Sequence, residues 1–245
     1  MNDFLTGLQF LTRIQLKQQT EWSPASFGRS VRYFPLIGLI IGIVLAAFYH
    51  LLAPYVTIHV LTALLVIGEI IITGALHCDG YMDTADGIFS GRSRERMLEI
   101  MKDSRVGANG VVAFGVLLLL KWTLYIDMPQ SLLPLSMVMA PVIGRFCMVV
   151  GITLFPYARP DGIGKAFTQY AGNSALKVAG VLTLAAAAIL GKTAVAGLLA
   201  ALVFTIWFGR YVTKILGGLT GDVYGAITET TQIIVLMTFL TLRGW

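Results

Sequence analysis

The sequence predicts an all-α fold: a polytopic membrane helical bundle of about seven transmembrane helices, with six as the alternative, and amphipathic helices on its cytoplasmic side. Three observations predict it. The 245 residues are 56% hydrophobic and only 13% charged, about half the charged share of an ordinary soluble domain. Apolar runs long enough to cross a hydrocarbon layer recur at short intervals, and the mean hydropathy is +0.78. Strongly basic connections between those runs alternate with nearly neutral ones. With no internal repeat and no low-complexity tract, residues 1–245 read as one membrane-embedded domain.

Residues 1–32 are mixed. Phe4, Leu5, Leu8 and Leu11 recur at helical spacing and predict a short interfacial helix, and Trp22 suits the lipid headgroup level. No small-residue cleavage site follows a short apolar stretch, so no signal peptide is expected. The first apolar run covers 33–52, with Pro35 near its start, where a missing N–H costs little. Gly38 and Gly42 form a GxxxG pair that admits a close neighbour. The second run covers 57–76, and Glu69 within it should face the protein interior. A polar island follows over 77–110, with an amphipathic helix predicted over 94–103 behind an N-cap at Ser93. Further runs cover 109–126, 132–154, 175–190, 194–208 and 230–242, and the last is short unless extended backward. Longer connections are expected at 155–174 and 209–229.

Charge sets the expected orientation. Arg13, Lys17, Arg29 and Arg32 precede the first run; Arg92, Arg94, Arg96, Lys102 and Arg105 lie in the island. Arg159, Lys165, Arg210 and Lys214 lie in the two later polar connections, with Lys177 at the edge of the first, and the other connections carry only Lys192. The positive-inside rule then puts every long polar segment on the cytoplasmic face of the inner (cytoplasmic) membrane. The formal net charge of +5 is accounted for this way, and nucleic acid is not an expected partner. Cys78 and Cys147 are far apart and predict neither a disulfide nor a zinc site.

The island carries the chemistry. Asp79, Asp83 and Asp86 sit at i, i+4, i+7, so a helix there puts three carboxylates on one face. Such carboxylates repel unless a cation lies among them, which points to Mg²⁺ and to a phosphate for it to hold. Asp103 follows, and Arg92, Lys102 and Arg105 supply cations for phosphate oxygens. His77 is the weaker signal beside them. A second constellation runs from Gly217 through Gly221 and Asp222 to Glu229, glycine-rich ahead of a helix and suited to phosphate, though not a P-loop. Asp222 and Glu229 are seven apart, on one helical face. The connection from Tyr157 through Arg159 and Asp161 is a weak candidate to close over substrate. Arg145, inside an apolar run, needs an anion, either a phosphate or Glu69.

These stretches together resemble the cobalamin synthase family, the adenosylcobinamide-GDP ribazoletransferases, over nearly the whole length. The resemblance rests on Phe34-Pro-Leu-Ile-Gly38, on His77-x-Asp79-Gly80-x-x-Asp83-Thr-x-Asp86-Gly87, on the run from Arg92 to Gly107, and on Gly218-x-Thr220-Gly221-Asp222-x-x-Gly225-Ala226. It implies a Mg²⁺-dependent membrane enzyme that joins adenosylcobinamide-GDP to α-ribazole or its 5′-phosphate. The products are adenosylcobalamin or its 5′-phosphate, and GMP. Metal ligands are then expected at Asp79, Asp83, Asp86 and Asp103, with substrate contacts at Arg92, Lys102, Arg105, Arg145, Gly221 and Glu229. Catalytic carboxylates are expected among Asp86, Asp103 and Asp222, with Asp222 or Asp103 as the base. The partners implied are these small molecules and membrane lipid, with other enzymes of nucleotide-loop assembly or a second copy of the chain left open. The Asp83-x-x-Asp86-Gly87 core is also distantly similar to the CDP-alcohol phosphotransferases. Their second aspartate pair is missing here, since Gly107 stands four residues after Asp103, so their base is not carried over. A small transporter and a membrane scaffold are the competing classes. A transporter needs ionisable residues near the midplane and broken helices, and a scaffold tolerates loss of the aspartates.

Overall fold

Helices alone form the regular structure among the described residues, 2–16 and 23–242 of this computed structural model. They are α1 (Asp3–Leu11), α2 (Pro24–Ser30), α3 (Phe34–Leu52), α4 (Ile58–Thr73), α5 (Leu76–Phe89) and α6 (Arg94–Ile100). Then follow α7 (Ala108–Asp127), α8 (Leu133–Leu154), α9 (Ile163–Tyr170), α10 (Asn173–Leu190), α11 (Lys192–Leu216) and α12 (Gly221–Thr241). Trp22 and Lys17 lie outside the described residues.

Five segments are long and apolar enough to cross a membrane: Pro24–Leu52, Ala108–Asp127, Leu133–Leu154, Lys192–Leu216 and Gly221–Thr241. The count rises to seven if α4 with α5, and α9 with α10, each form one broken span; each pair is bent by 91°. All of the expected runs therefore lie on helices, but two meet a bend. The bend after α4 is a Schellman ending. The Gly74 N–H donates to Ile71 O (3.1 Å) and the Ala75 N–H to Ile70 O (2.9 Å). Both residues adopt the left-handed region (φ 62° and 59°), free for glycine and costing about 1–2 kcal/mol at Ala75. α5 therefore turns away from the direction of α4.

The first part of the polar island is helical, as a shared face for its aspartates requires: α5 occupies Leu76–Phe89. One expectation needs correction. The expected connection over 209–229 is nearly all helix: α11 runs on to Leu216 and α12 begins at Gly221. Thr220 starts α12 by accepting the Val223 N–H (3.3 Å), so the last apolar run gains nine residues and reaches spanning length. Ser93 caps α6 as expected, and Met97 and Met101 bury its apolar side.

α8 and α12 form the centre of the bundle, and their faces are the most buried of the candidate spans. α3 lies along α8 through the GxxxG pair, where a Cβ on Gly42 would come within 2.6 Å of Val138 Cα. Large apolar side chains cover the outside, among them Ile43, Phe48 and Leu51 on α3, Val112 and Leu119 on α7, and Leu199 and Val203 on α11. So much exposed apolar surface suits lipid and not water.

The contact that builds the site is the crossing of α5 over α12. A Cβ on Gly80 would lie 2.8 Å from Asp222 Cα, and one on Gly225 would lie 2.9 Å from His77 O. The facing atoms are backbone and cannot step aside. Gly80→Val is therefore expected to force the helices apart, lowering thermal stability in detergent by about 1–3 kcal/mol and abolishing activity. An unchanged melting temperature and rate would show that the crossing is looser than this.

Candidate active site

The crossing opens a cavity of about 500 Å³ at one end of the bundle. The first turns of α5 and α12 supply His77, Asp79, Gly80, Gly221, Asp222 and Tyr224. The connection after α8 supplies Tyr157, Arg159 and Asp161; α9 supplies Phe167, and Lys102 reaches in from behind α6. Three polar segments far apart in sequence thus meet at one wall. A short parallel bridge pins two of them: Ala158 N–H donates to Leu219 O and Leu219 N–H to Pro156 O, both at 2.8 Å. That bridge brings Arg159 over Asp222, Nη2 to Oδ2 at 2.8 Å. Arg159 Nε, also buried, has no acceptor among the described residues. Lys102 Nζ lies 3.8 Å from Asp161 Oδ1 at the exposed rim.

The carboxylates gather as their spacing predicts, but not all of them reach the cavity. Asp79 is exposed on the wall, and Asp83 is half-buried one turn on. The electrostatic neighbours of Asp83 are Asp222, Asp79 and Asp86, with Arg159 as the one cation. Asp86 instead turns to α7. The Gly107 N–H donates to its Oδ2 (2.7 Å) and the Gly110 N–H to its Oδ1 (2.8 Å). It thereby caps a helix whose own N-cap is glycine and puts its charge at the positive end of that dipole. Asp86→Ala is expected to destabilise the protein by about 2 kcal/mol, with Asp86→Asn intermediate because one acceptor survives. Thermal unfolding in detergent reads this, and equal melting of all three proteins would remove the capping role.

Asp103 and Arg105, both expected at the site, lie off the cavity wall and pair with each other at 2.7 Å. The Arg105 guanidinium and backbone N–H hold the Asp103 carboxyl down to about 2, which makes it a poor base. Arg92 is exposed and also off the wall. Of the expected phosphate contacts, Lys102 and Gly221 line the cavity.

Glu229 and Arg145 lie deeper. Glu229 accepts from Lys121 Nζ (3.0 Å), which also donates to Glu69 (3.1 Å), and all three are buried. Glu69 faces the interior as expected, but its partner is Lys121, a residue the sequence reading passed over. A lone lysine within the apolar run of α7 was the available signal, since a charge there must face the bundle. Arg145 is wholly buried beside His77. Arg159, weak in the sequence, emerges as the main cation on the wall.

Among the described residues, no three His, Cys, Asp or Glu side chains converge as a ready-made metal cage. The donors present still fit Mg²⁺. They are hard carboxylate oxygens, and Mg²⁺ commonly uses one or two carboxylates with substrate phosphates completing its shell.

Known proteins resemble this chain over nearly its whole length. The cobalamin-5-phosphate synthase family model matches residues 3–240. A relative from Desulfitobacterium hafniense (strain Y51), an adenosylcobinamide-GDP ribazoletransferase, is 39% identical over 243 residues, covering 97% of this chain and 96% of the relative. Relatives of the same name from Roseiflexus sp. (strain RS-1) and Alkaliphilus metalliredigens (strain QYMF) are 42% and 37% identical. They cover 97% and 100% of this chain, and 88% and 97% of their own lengths. No solved structure matches. With a match over nearly its whole length and relatives of this identity and coverage, the chain belongs to the cobalamin-5-phosphate synthase family of enzymes.

Proposed function

We propose that this enzyme joins adenosylcobinamide-GDP to α-ribazole or its 5′-phosphate, releasing GMP, by Mg²⁺-dependent phosphotransfer at the cytoplasmic face of the inner membrane. A ribose hydroxyl of α-ribazole attacks the phosphorus on the corrinoid side. The bond from that phosphorus to the bridging oxygen breaks, and GMP leaves with the oxygen. Asp222, on the wall with Asp79 and an electrostatic neighbour of Asp83 just off it, takes the hydroxyl proton. Arg159 and Lys102 meet the charge that grows on the phosphate oxygens. Asp79 and Asp83 would hold Mg²⁺; a bound Mg²⁺ supplies Lewis-acid neutralisation of the diphosphate. The proposal leaves Asp86 as the cap of α7 and Asp103 as the partner of Arg105.

The observation that carries the reading is the meeting of acids and bases on one wall. Asp79 and Asp222 share a cavity with Lys102 and with an Arg159 that pairs with Asp222 and keeps its buried Nε without an acceptor among the described residues. A phosphate supplies such an acceptor, and the names of the relatives say which phosphate ester to try. The cytoplasmic placement rests on the basic residues that flank this end of the bundle.

The test is GMP release by purified protein in detergent, with no sealed vesicle. Adenosylcobinamide-GDP and α-ribazole with Mg²⁺ should yield GMP and a cobalamin in equal amounts, and chelation of Mg²⁺ should stop both until the ion is restored. A protein that is folded, supplied with both substrates and Mg²⁺, and silent would overturn the reading. Full activity in excess chelator would remove the metal from it.

A further inference from the structure

His77 and Arg145 form a buried pair on the bundle side of the cavity. His77, in the first turn of α5, is 2% exposed and lines the cavity. Arg145, from the middle of α8, is 0% exposed. Its Nη2 lies 3.4 Å from His77 Nδ1. A guanidinium only donates hydrogen bonds, so Nδ1 must be the acceptor. The imidazole is then neutral and carries its proton on Nε2. A second proton on Nδ1 would destroy the hydrogen bond and set a cation against Arg145.

Nε2 has no hydrogen-bond partner among the described residues. The ring therefore carries one buried donor, on the edge away from Arg145, in a side chain that lines the cavity with Asp79 and Asp222. An unmet buried donor is costly, and an acceptor on a ligand relieves the cost. Carboxylates and cations on the same wall indicate an anionic, oxygen-rich ligand. Glu69 and Glu229 face Arg145 electrostatically from within the bundle, and its Nε and Nη1 have no hydrogen-bond partner among the described residues.

We propose that His77 donates a hydrogen bond from Nε2 to a phosphoryl oxygen of the diphosphate substrate, and that Arg145 is the positioning residue that holds His77 in the Nε2–H tautomer. This rests on the phosphotransfer reading above and adds a recognition residue to it. His77→Leu removes the donor and keeps the bulk. His77→Gln places an amide donor near the Nε2 position, and His77→Asn places one near Nδ1.

The experiment uses the full-length protein in lipid nanodiscs with GDP and Mg²⁺ as the probe, by calorimetry, alongside KM and kcat for the GDP-linked corrinoid. His77→Leu and His77→Asn should weaken GDP binding and raise KM by about tenfold or more, while His77→Gln stays within about threefold of wild type. With only three histidines in the chain, nitrogen-15 NMR of histidine-labelled protein should show one buried ring protonated on Nε2. Arg145→Met should lose that fixed tautomer and raise KM as His77→Leu does. Wild-type binding in His77→Leu, equal rescue by Asn and Gln, or a wild-type ring protonated on Nδ1 each overturns the proposal. The last needs no variant to fold. Failure of wild-type protein to bind GDP would instead overturn the diphosphate reading beneath it, so the two failures are told apart.

Discussion

Asp83→Asn is expected to fold and insert normally yet lose turnover by about a thousandfold or more at saturating Mg²⁺, since ~4 kcal/mol of charge stabilisation is worth that factor. The reasoning joins charge to position. Asp83 sits half-buried with Asp79, Asp86 and Asp222 as its acidic neighbours and Arg159 as its one cationic neighbour. Such crowding is unfavourable to the folded protein by itself, so asparagine, equal in shape and uncharged, relieves it. Stability should hold or rise while activity falls, which is the signature of charge kept for function. GMP release and thermal unfolding on the same preparation read the two arms. Asp83→Asn with near wild-type turnover would sink the metal assignment. Asp83→Asn that unfolds would show that Asp83, like Asp86, serves the fold.

Lys121→Met should have the largest effect on stability, a loss of about 3–5 kcal/mol. Lys121 stands 3.1 Å from Glu69 and 3.0 Å from Glu229, and all three are buried. Taking away the cation leaves two carboxylates facing each other in an apolar interior. The double replacement Lys121→Met, Glu229→Gln removes one opposite pair of charges and leaves Glu69 to face Arg145, so it should recover much of the melting temperature in detergent. Recovery separates a penalty of uncompensated charge from simple loss of packing. A single Lys121→Met that melts with the wild type would mean that water reaches these carboxylates. Because the cluster ties α4, α7 and α12 together, its loss should also loosen the seat of Asp222.

The chemistry of the chain was largely legible before its shape. Asp79 and Asp83 declared themselves by spacing, because a helix repeats every 3.6 residues and turns i, i+4 into neighbours. Glu69 and Arg145 declared themselves by cost, since a charge in an apolar run has nowhere else to go but inward. Lys121 obeys the same rule and was overlooked only beside louder signals. Asp86 could not be sorted from Asp79 and Asp83 by spacing. Its donors, Gly107 and Gly110, lie more than twenty residues on and are joined to it by the packing of α5 against α7. Arg159 had only a weak local mark, and its place depends on a two-bond bridge between connections sixty residues apart.

Composition, periodicity and the placing of basic residues were enough to establish an all-helical membrane bundle with its polar segments at one end, and motifs along nearly the whole chain to indicate its family. Those properties follow from solvation and local helical geometry, which act on each stretch of residues separately. Which carboxylates share a wall, which cation faces them, and which of the acids merely holds a helix in place were decided in three dimensions. They depend on the turn at Gly74 and Ala75 and on the glycine-to-backbone crossing of α5 over α12. Contacts of that kind join residues without regard to their separation along the chain.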